Sequence, residues 1–200
     1  QPLRDLAKND IEKEHLFFKP ADFPYDFAPQ LPSTGSNIAG WTEAGKAVTP
    51  SFNYYLKQKS NDIVKFEIYD ATGKKIKDLN GTNNKGLNKV YWPLTSNPPK
   101  VAKGGFIAQS MVFYSGVYGP KVPTGKYKVV MKVDGKSYEQ LINILPNDAK
   151  GFSVANVARL HNQSTRMVQL HERLAVLVDS LDKTLVGWQK ITNPSADQVK

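Results

Sequence analysis

The sequence contains no cysteine. That absence excludes disulfides, thiolate nucleophiles, cysteine-ligated zinc and iron–sulfur clusters. It leaves the redox compartment open, because a cysteine-free chain survives on either side of a membrane. Histidine is scarce, with only His15, His161 and His171, and neither phosphate-cradling motif, G-x-x-x-x-G-K-[ST] or G-x-G-x-x-G, occurs. No apolar run approaches the ~18–20 residues of a membrane span. The opening Gln1-Pro2-Leu3-Arg4-Asp5 lacks the grammar of a signal peptide, and a start at Gln rather than Met suggests either a mature form after cleavage or, as the favoured expectation, a fragment of a longer polypeptide. Arginine is missing from residues 51–147, where 15 lysines stand against 6 acidic side chains. Nucleic-acid readers favour the bidentate arginine fork, so an all-lysine excess reads as a solvated sheet face and no nucleic-acid partner is expected.

What is present is the composition of a folded chain: 200 residues, 40% hydrophobic and 22% charged. A chain of this size buries roughly 70% of its unfolded surface, enough for a core without staples. The net charge of +9 is uneven. Residues 1–50 hold 5 basic and 7 acidic side chains, and residues 148–200 hold 7 and 5, so the basic field belongs to the middle segment.

Three segments follow from the local patterns. Residues 1–50 carry six of the 13 prolines, which forbids long elements after a short amphipathic stretch, Leu3–Phe18, that is predicted as a helix. Phe23, Tyr25, Phe27 and Trp41 are too many aromatics for a free linker, so this segment reads as an extended arm that tucks its rings into a neighbouring surface. Residues 51–147 have β grammar. Val64, Phe66 and Ile68 alternate with Lys65, Glu67 and Tyr69; Tyr127, Val129, Met131 and Val133 alternate with Lys126, Lys128, Val130 and Lys132; Asp70-Ala71-Thr72-Gly73 and Asp134-Gly135 mark hairpins. Short strands with no helix between them predict an antiparallel immunoglobulin-like β-sandwich, so the fold class is mainly β with α. In residues 148–200, Val157, Leu160, Ser164, Met167, His171, Leu174, Val178, Leu181, Leu185 and Trp188 repeat at 3,4 spacing along one long helix. Such a stripe calls for a partner, either another helix or the flank of the sandwich; a helix-mediated dimer is open.

Phe66-Glu67-Ile68-Tyr69-Asp70-Ala71-Thr72-Gly73-Lys74, Gly86-Leu87-Asn88-Lys89-Val90-Tyr91-Trp92, Gly119-Pro120 and Pro123-Thr124-Gly125-Lys126-Tyr127-Lys128-Val129 together resemble a bacterial module. It is the immunoglobulin-like domain of the flagellar hook-capping type, found near the C-terminus of secreted sortilin-like or BNR-repeat β-propeller proteins of glycosyl-hydrolase kind. The resemblance implies a propeller before the arm, a helical hairpin at the end, a secreted or periplasmic bacterial location and the propeller domain as an intramolecular partner. Gln1-Pro2-Leu3-Arg4-Asp5-Leu6 is similar to the connector after the propeller. Pro93 departs from the pattern, which has Asp after the Trp to brace the following loop.

The residues offer little catalytic chemistry. His161 and His171 are ten apart, too far for one-face chelation, which wants three or four residues. Asp78, Asn80, Thr82 and Asn84 have calcium-loop spacing, but Lys89 stands where the closing carboxylate is needed and Asn83 where glycine belongs. A glycosidase needs two carboxylates ~5–9.5 Å apart, and the sandwich supplies only Asp62, Glu67, Asp70, Asp78, Asp134 and Glu139. No catalytic residue, metal site or cofactor is assigned. Exposed aromatics suit polysaccharide better, through stacking on sugar rings. Tyr69, Tyr91, Tyr114 and Tyr118 are the candidate carbohydrate-binding residues, while Trp92 shares the face of Val90 and belongs to the core. The apolar segment Gly104–Gly119 reads as core strand, docking surface or ligand contact. The expected function is a non-catalytic accessory and interaction region of a larger protein; the alternative is a carbohydrate-binding module.

Overall fold

The computed structural model describes residues 13–25, 49–102, 119–146 and 153–192. They fall into two compact units, one drawn from Gln1–Thr95 with Lys121–Ala158 and the other from Ser96–Pro120 with Arg159–Lys200.

The first unit contains strands β1 (His15–Phe17), β2 (Phe23–Pro24), β3 (Ser51–Leu56), β4 (Lys65–Tyr69), β5 (Lys75–Asn80), β6 (Gly86–Tyr91), β7 (Gly125–Val133) and β8 (Lys136–Leu145). They form a three-stranded sheet, β1-β3-β6, and a five-stranded sheet, β2-β8-β7-β4-β5. The two-residue side-chain period places Phe52, Tyr54 and Leu56 of β3 in one buried row. Val64, Phe66 and Ile68 make another, and Tyr127, Val129, Met131 and Val133 a third. The sheets therefore enclose one core, as the alternation predicts. Phe17 meets Phe66 edge-on at 5.6 Å, Phe52 stacks on Phe66 at 6.0 Å, and Trp92 meets Tyr127 edge-on at 5.2 Å. Trp92 is fully buried, as its place beside Val90 requires. The Tyr127 hydroxyl donates to the Pro123 carbonyl at 2.6 Å, the tyrosine corner of sandwich domains.

Both predicted hairpins form. Asp134 and Gly135 take φ of 45° and 73°, the two positive values of the turn whose twist matches antiparallel strands. At the other, one carboxylate oxygen of Asp70 accepts from the Thr72 N–H, the Thr72 hydroxyl and the Lys74 N–H at 2.6–3.0 Å. Partial burial works against that charge, but those hydrogen bonds outweigh it and hold the Asp70 carboxyl below its usual range.

Two expectations need correction. The Leu3–Phe18 helix is not what the chain forms where it is described: His15–Phe17 is a strand, antiparallel to β3. Pairing with an open sheet edge overrides a weak helical pattern. The sandwich is also not antiparallel throughout, because β2 runs parallel to β8. The described part of the arm thus contributes a strand to each sheet, and its Phe17, Phe18, Phe23 and Tyr25 are buried. Beyond Trp92, Pro93 is followed by Leu94 at φ 55°, a conformation that costs a branched residue roughly 1–2 kcal/mol. Burial of the Leu94 side chain, its carbonyl accepting from the Val122 N–H at 2.9 Å and the Trp92 indole donating to the Thr95 carbonyl at 3.1 Å hold it there. Backbone and indole brace this loop in the place of a carboxylate.

Helix α1 spans Val154–Thr192 without an interior proline. Ser153 caps it, its hydroxyl accepting from the Asn156 N–H at 3.3 Å, and Val157 in the first turn belongs to the core of the sandwich unit.

Candidate functional site

Of the four candidate tyrosines, two are described. Tyr69 lies on β4 and Tyr91 on β6, each alternating with buried neighbours and each only half-buried. The two strands belong to different sheets, so the structure does not bring these rings into one platform. Each ring carries a lysine over its face, Lys128 at 5.2 Å from the Tyr69 centroid and Lys89 at 5.7 Å from that of Tyr91. Tyr114 and Tyr118 lie outside the described residues, as does the Gly104–Gly119 segment apart from Gly119 itself.

Five of the six carboxylates of the sandwich, all but Asp62, are engaged in structure. Glu67 pairs with Lys132 at 2.7 Å and accepts from the Tyr69 hydroxyl at 2.6 Å, with Lys75 at 3.6 Å. The hydrogen bond from Lys132, then that from Tyr69, lowers the Glu67 pKa to about 2. The same contact raises Tyr69 above the usual phenol range. A general acid needs the opposite shift. Glu139 pairs with Lys128 at 3.3 Å and Asp78 with Lys75 at 2.8 Å. Within the calcium-like spacing, Asp78 and Asn80 fall on β5, while Thr82 donates to the Asn88 side chain at 2.6 Å.

Ser60, Asp134 and His15 form a cluster that no sequence pattern announces, its ends 119 positions apart. The Ser60 hydroxyl donates to one Asp134 oxygen at 2.8 Å, and His15 Nε2 lies 3.0 Å from the other. In a nucleophilic triad the imidazole sits between hydroxyl and carboxylate. Here the carboxylate sits in the middle, so His15 has no path to the serine proton, and the cluster instead ties β1 to the β7–β8 turn.

Among the described residues, most of the exposed large hydrophobic side chains lie on α1. The sequence stripe divides in the structure. Val157 is buried and Ser164, His171 and Val178 are partly covered, together with Val168 and a nearly inaccessible Ala175. Leu160, Met167, Leu174 and Leu181, spaced by seven, are exposed, Met167 to 66% and Leu174 to 59%. Leu170, Leu177 and Leu185 are exposed with them. On the covered side, the Lys100 N–H donates to Glu172 at 3.3 Å, and the Lys100 ammonium lies 3.9 Å from Asp179. Pro99, Gly119 and Pro120 join Leu160, Met167 and Leu174 in walling an open groove of about 770 Å³. Leu170 and Leu177, absent from the sequence stripe, were the available signal that the bulky residues favour one side.

No family model matches the chain, and no curated protein matches it. Among solved structures, part of the chain is similar to dimeric latent PorU from Porphyromonas gingivalis, with 19% identity, a TM-score of 0.29 and coverage of 48% of this chain and 8% of that one. A likeness of this size carries no argument about function.

Proposed function

We propose that this chain is a non-catalytic interaction region, a β-sandwich followed by a long helix for docking, within a larger secreted bacterial protein of the propeller-containing, glycosyl-hydrolase-like kind that its motifs resemble. The exposed leucine face of α1 carries this reading, since monomeric proteins rarely leave so long an apolar surface open unless it meets something. The engagement of Glu67, Asp78 and Glu139 by lysines, of Asp70 by turn donors and of Asp134 by the Ser60 hydroxyl and His15 supports the non-catalytic part. The alternative, a carbohydrate-binding module using Tyr69 and Tyr91, must contend with a lysine already over each ring.

Affinity electrophoresis through neutral and anionic polysaccharides at low and high salt, beside a glycoside hydrolysis assay, tests the reading. The expected result is no turnover and no salt-resistant retardation. Retardation that survives salt and is lost on Tyr69→Ala or Tyr91→Ala would establish the binding-module reading instead, whereas retardation that salt abolishes reports only the lysine field. Turnover by the purified chain would refute the non-catalytic claim.

A further inference from the structure

We propose that the exposed face of α1 is the receiving half of a heterotypic coiled coil, whose other half is an acidic amphipathic helix with leucine-like residues on its own seam and Asp or Glu beside it. This rests on the interaction-region reading and adds the chemistry of the partner.

The apolar spacing selects a helix as the occupant. Leu160, Met167, Leu174 and Leu181 recur every seventh residue, with Leu170 and Leu177 between them, and all are exposed. A straight α-helix drifts about 20° per heptad against a seven-residue repeat, so three heptads rotate the stripe by about 60°. A flat surface, such as a membrane, would lose contact with one end. A second helix can supercoil and follow the stripe.

The charges select an acidic partner. Arg159, Arg166 and Arg173 also recur every seventh residue, each immediately before a seam residue, and all three are exposed and make no ion pair among the described residues. This edge position is the one that pairs with charges of a facing helix. The acids of α1 are placed elsewhere: Glu172, Asp179 and Asp182 are all partly covered, and Lys100 engages the first two.

The α1 of a second copy therefore has no acid to offer at the edges of its seam among the described residues. In parallel register it would set Arg166 against His171 and Arg173 against Val178, and in antiparallel register the arginine edges would face each other. An acidic helix satisfies the leucines and the arginines together.

The test uses the full chain and two synthetic peptides about four heptads long, enough for a stable seam. Both carry leucine at the seam; one has Glu at every flanking position and its twin has Lys. Fluorescence anisotropy of labelled peptide should show salt-sensitive binding of the Glu peptide, with the Lys peptide weaker by about tenfold or more, as several reversed charge pairs require. The double substitution Arg166→Glu with Arg173→Glu, both at exposed positions, should reverse that preference while leaving the helical circular dichroism unchanged. Equal binding of the two peptides, or binding of neither, overturns the proposal. So does a concentration-dependent dimer in sedimentation that Leu174→Asp abolishes, or binding to phosphatidylserine vesicles in the absence of peptide binding. If the peptides fail while the hydrolysis and glycan assays stay negative, only this inference falls; turnover or salt-resistant glycan binding would instead remove the reading beneath it.

Discussion

At the scale of single residues, the strongest electrostatic feature is Glu67, held by Lys132, Tyr69 and Lys75 on the outer face of β4. Its carboxyl is depressed from the ordinary 4.5 to about 2. A depressed carboxylate contributes stability that is fully present above its unfolded value and is lost as pH falls through its folded value. The stability difference between the wild type and Glu67→Gln, read from urea midpoints, should therefore be positive at neutral pH and shrink between about pH 4.5 and 2. A difference that stays constant across that window would show that Glu67 acts only by shape. The outward direction of Glu67 and Tyr69 was legible from alternation alone. Their joining through Lys132 was not, because that lysine comes from another strand, 65 residues on, and only the register β4–β7 brings it near.

At the scale of elements, two glycines in β-connections separate conformational from steric demands. Gly135 sits at φ +73° with open space where a Cβ would be, so Gly135→Ala should cost about 1 kcal/mol or slightly more by backbone strain alone. Gly81 has no positive φ, but an added Cβ would run into the Tyr54 hydroxyl, which donates to the Thr82 carbonyl at 2.6 Å. Gly81→Ala should cost more and spread its effect to β3, where Tyr54 sits. Thermal unfolding of the two variants checks the order, and a larger loss for Gly135→Ala would reverse this account. The Asp134-Gly135 turn is a local code and was readable as such; the demand at Gly81 depends on a tyrosine 27 positions earlier and was not.

For the whole molecule, the arm is the element whose role changes most between sequence and structure. Within residues 13–25 it pairs with β3 on one sheet and β8 on the other, and Phe17 packs against both Phe52 and Phe66. If the arm completes the core, Phe17→Ala should destabilise the sandwich by about 3–5 kcal/mol. A change below about 1 kcal/mol, typical of a surface site, would make the arm a peripheral strap.

What the sequence determined by itself was everything that short-range periodicity encodes. The two-residue alternation of Phe66–Tyr69 and Lys126–Val133, the turn residues Asp70–Gly73 and Asp134-Gly135, and the proline-free heptads from Val157 onward specify strands, hairpins and a helix without reference to distant residues. Tertiary structure decided what depends on partners far along the chain. Those decisions were the conversion of a weak helical pattern at His15–Phe17 into an edge strand, the Ser60–Asp134–His15 tie, and which half of the α1 stripe is covered. The physical reason is common to all three. A period places side chains on a face, but whether that face is buried, paired or left open is set by what else the fold brings against it.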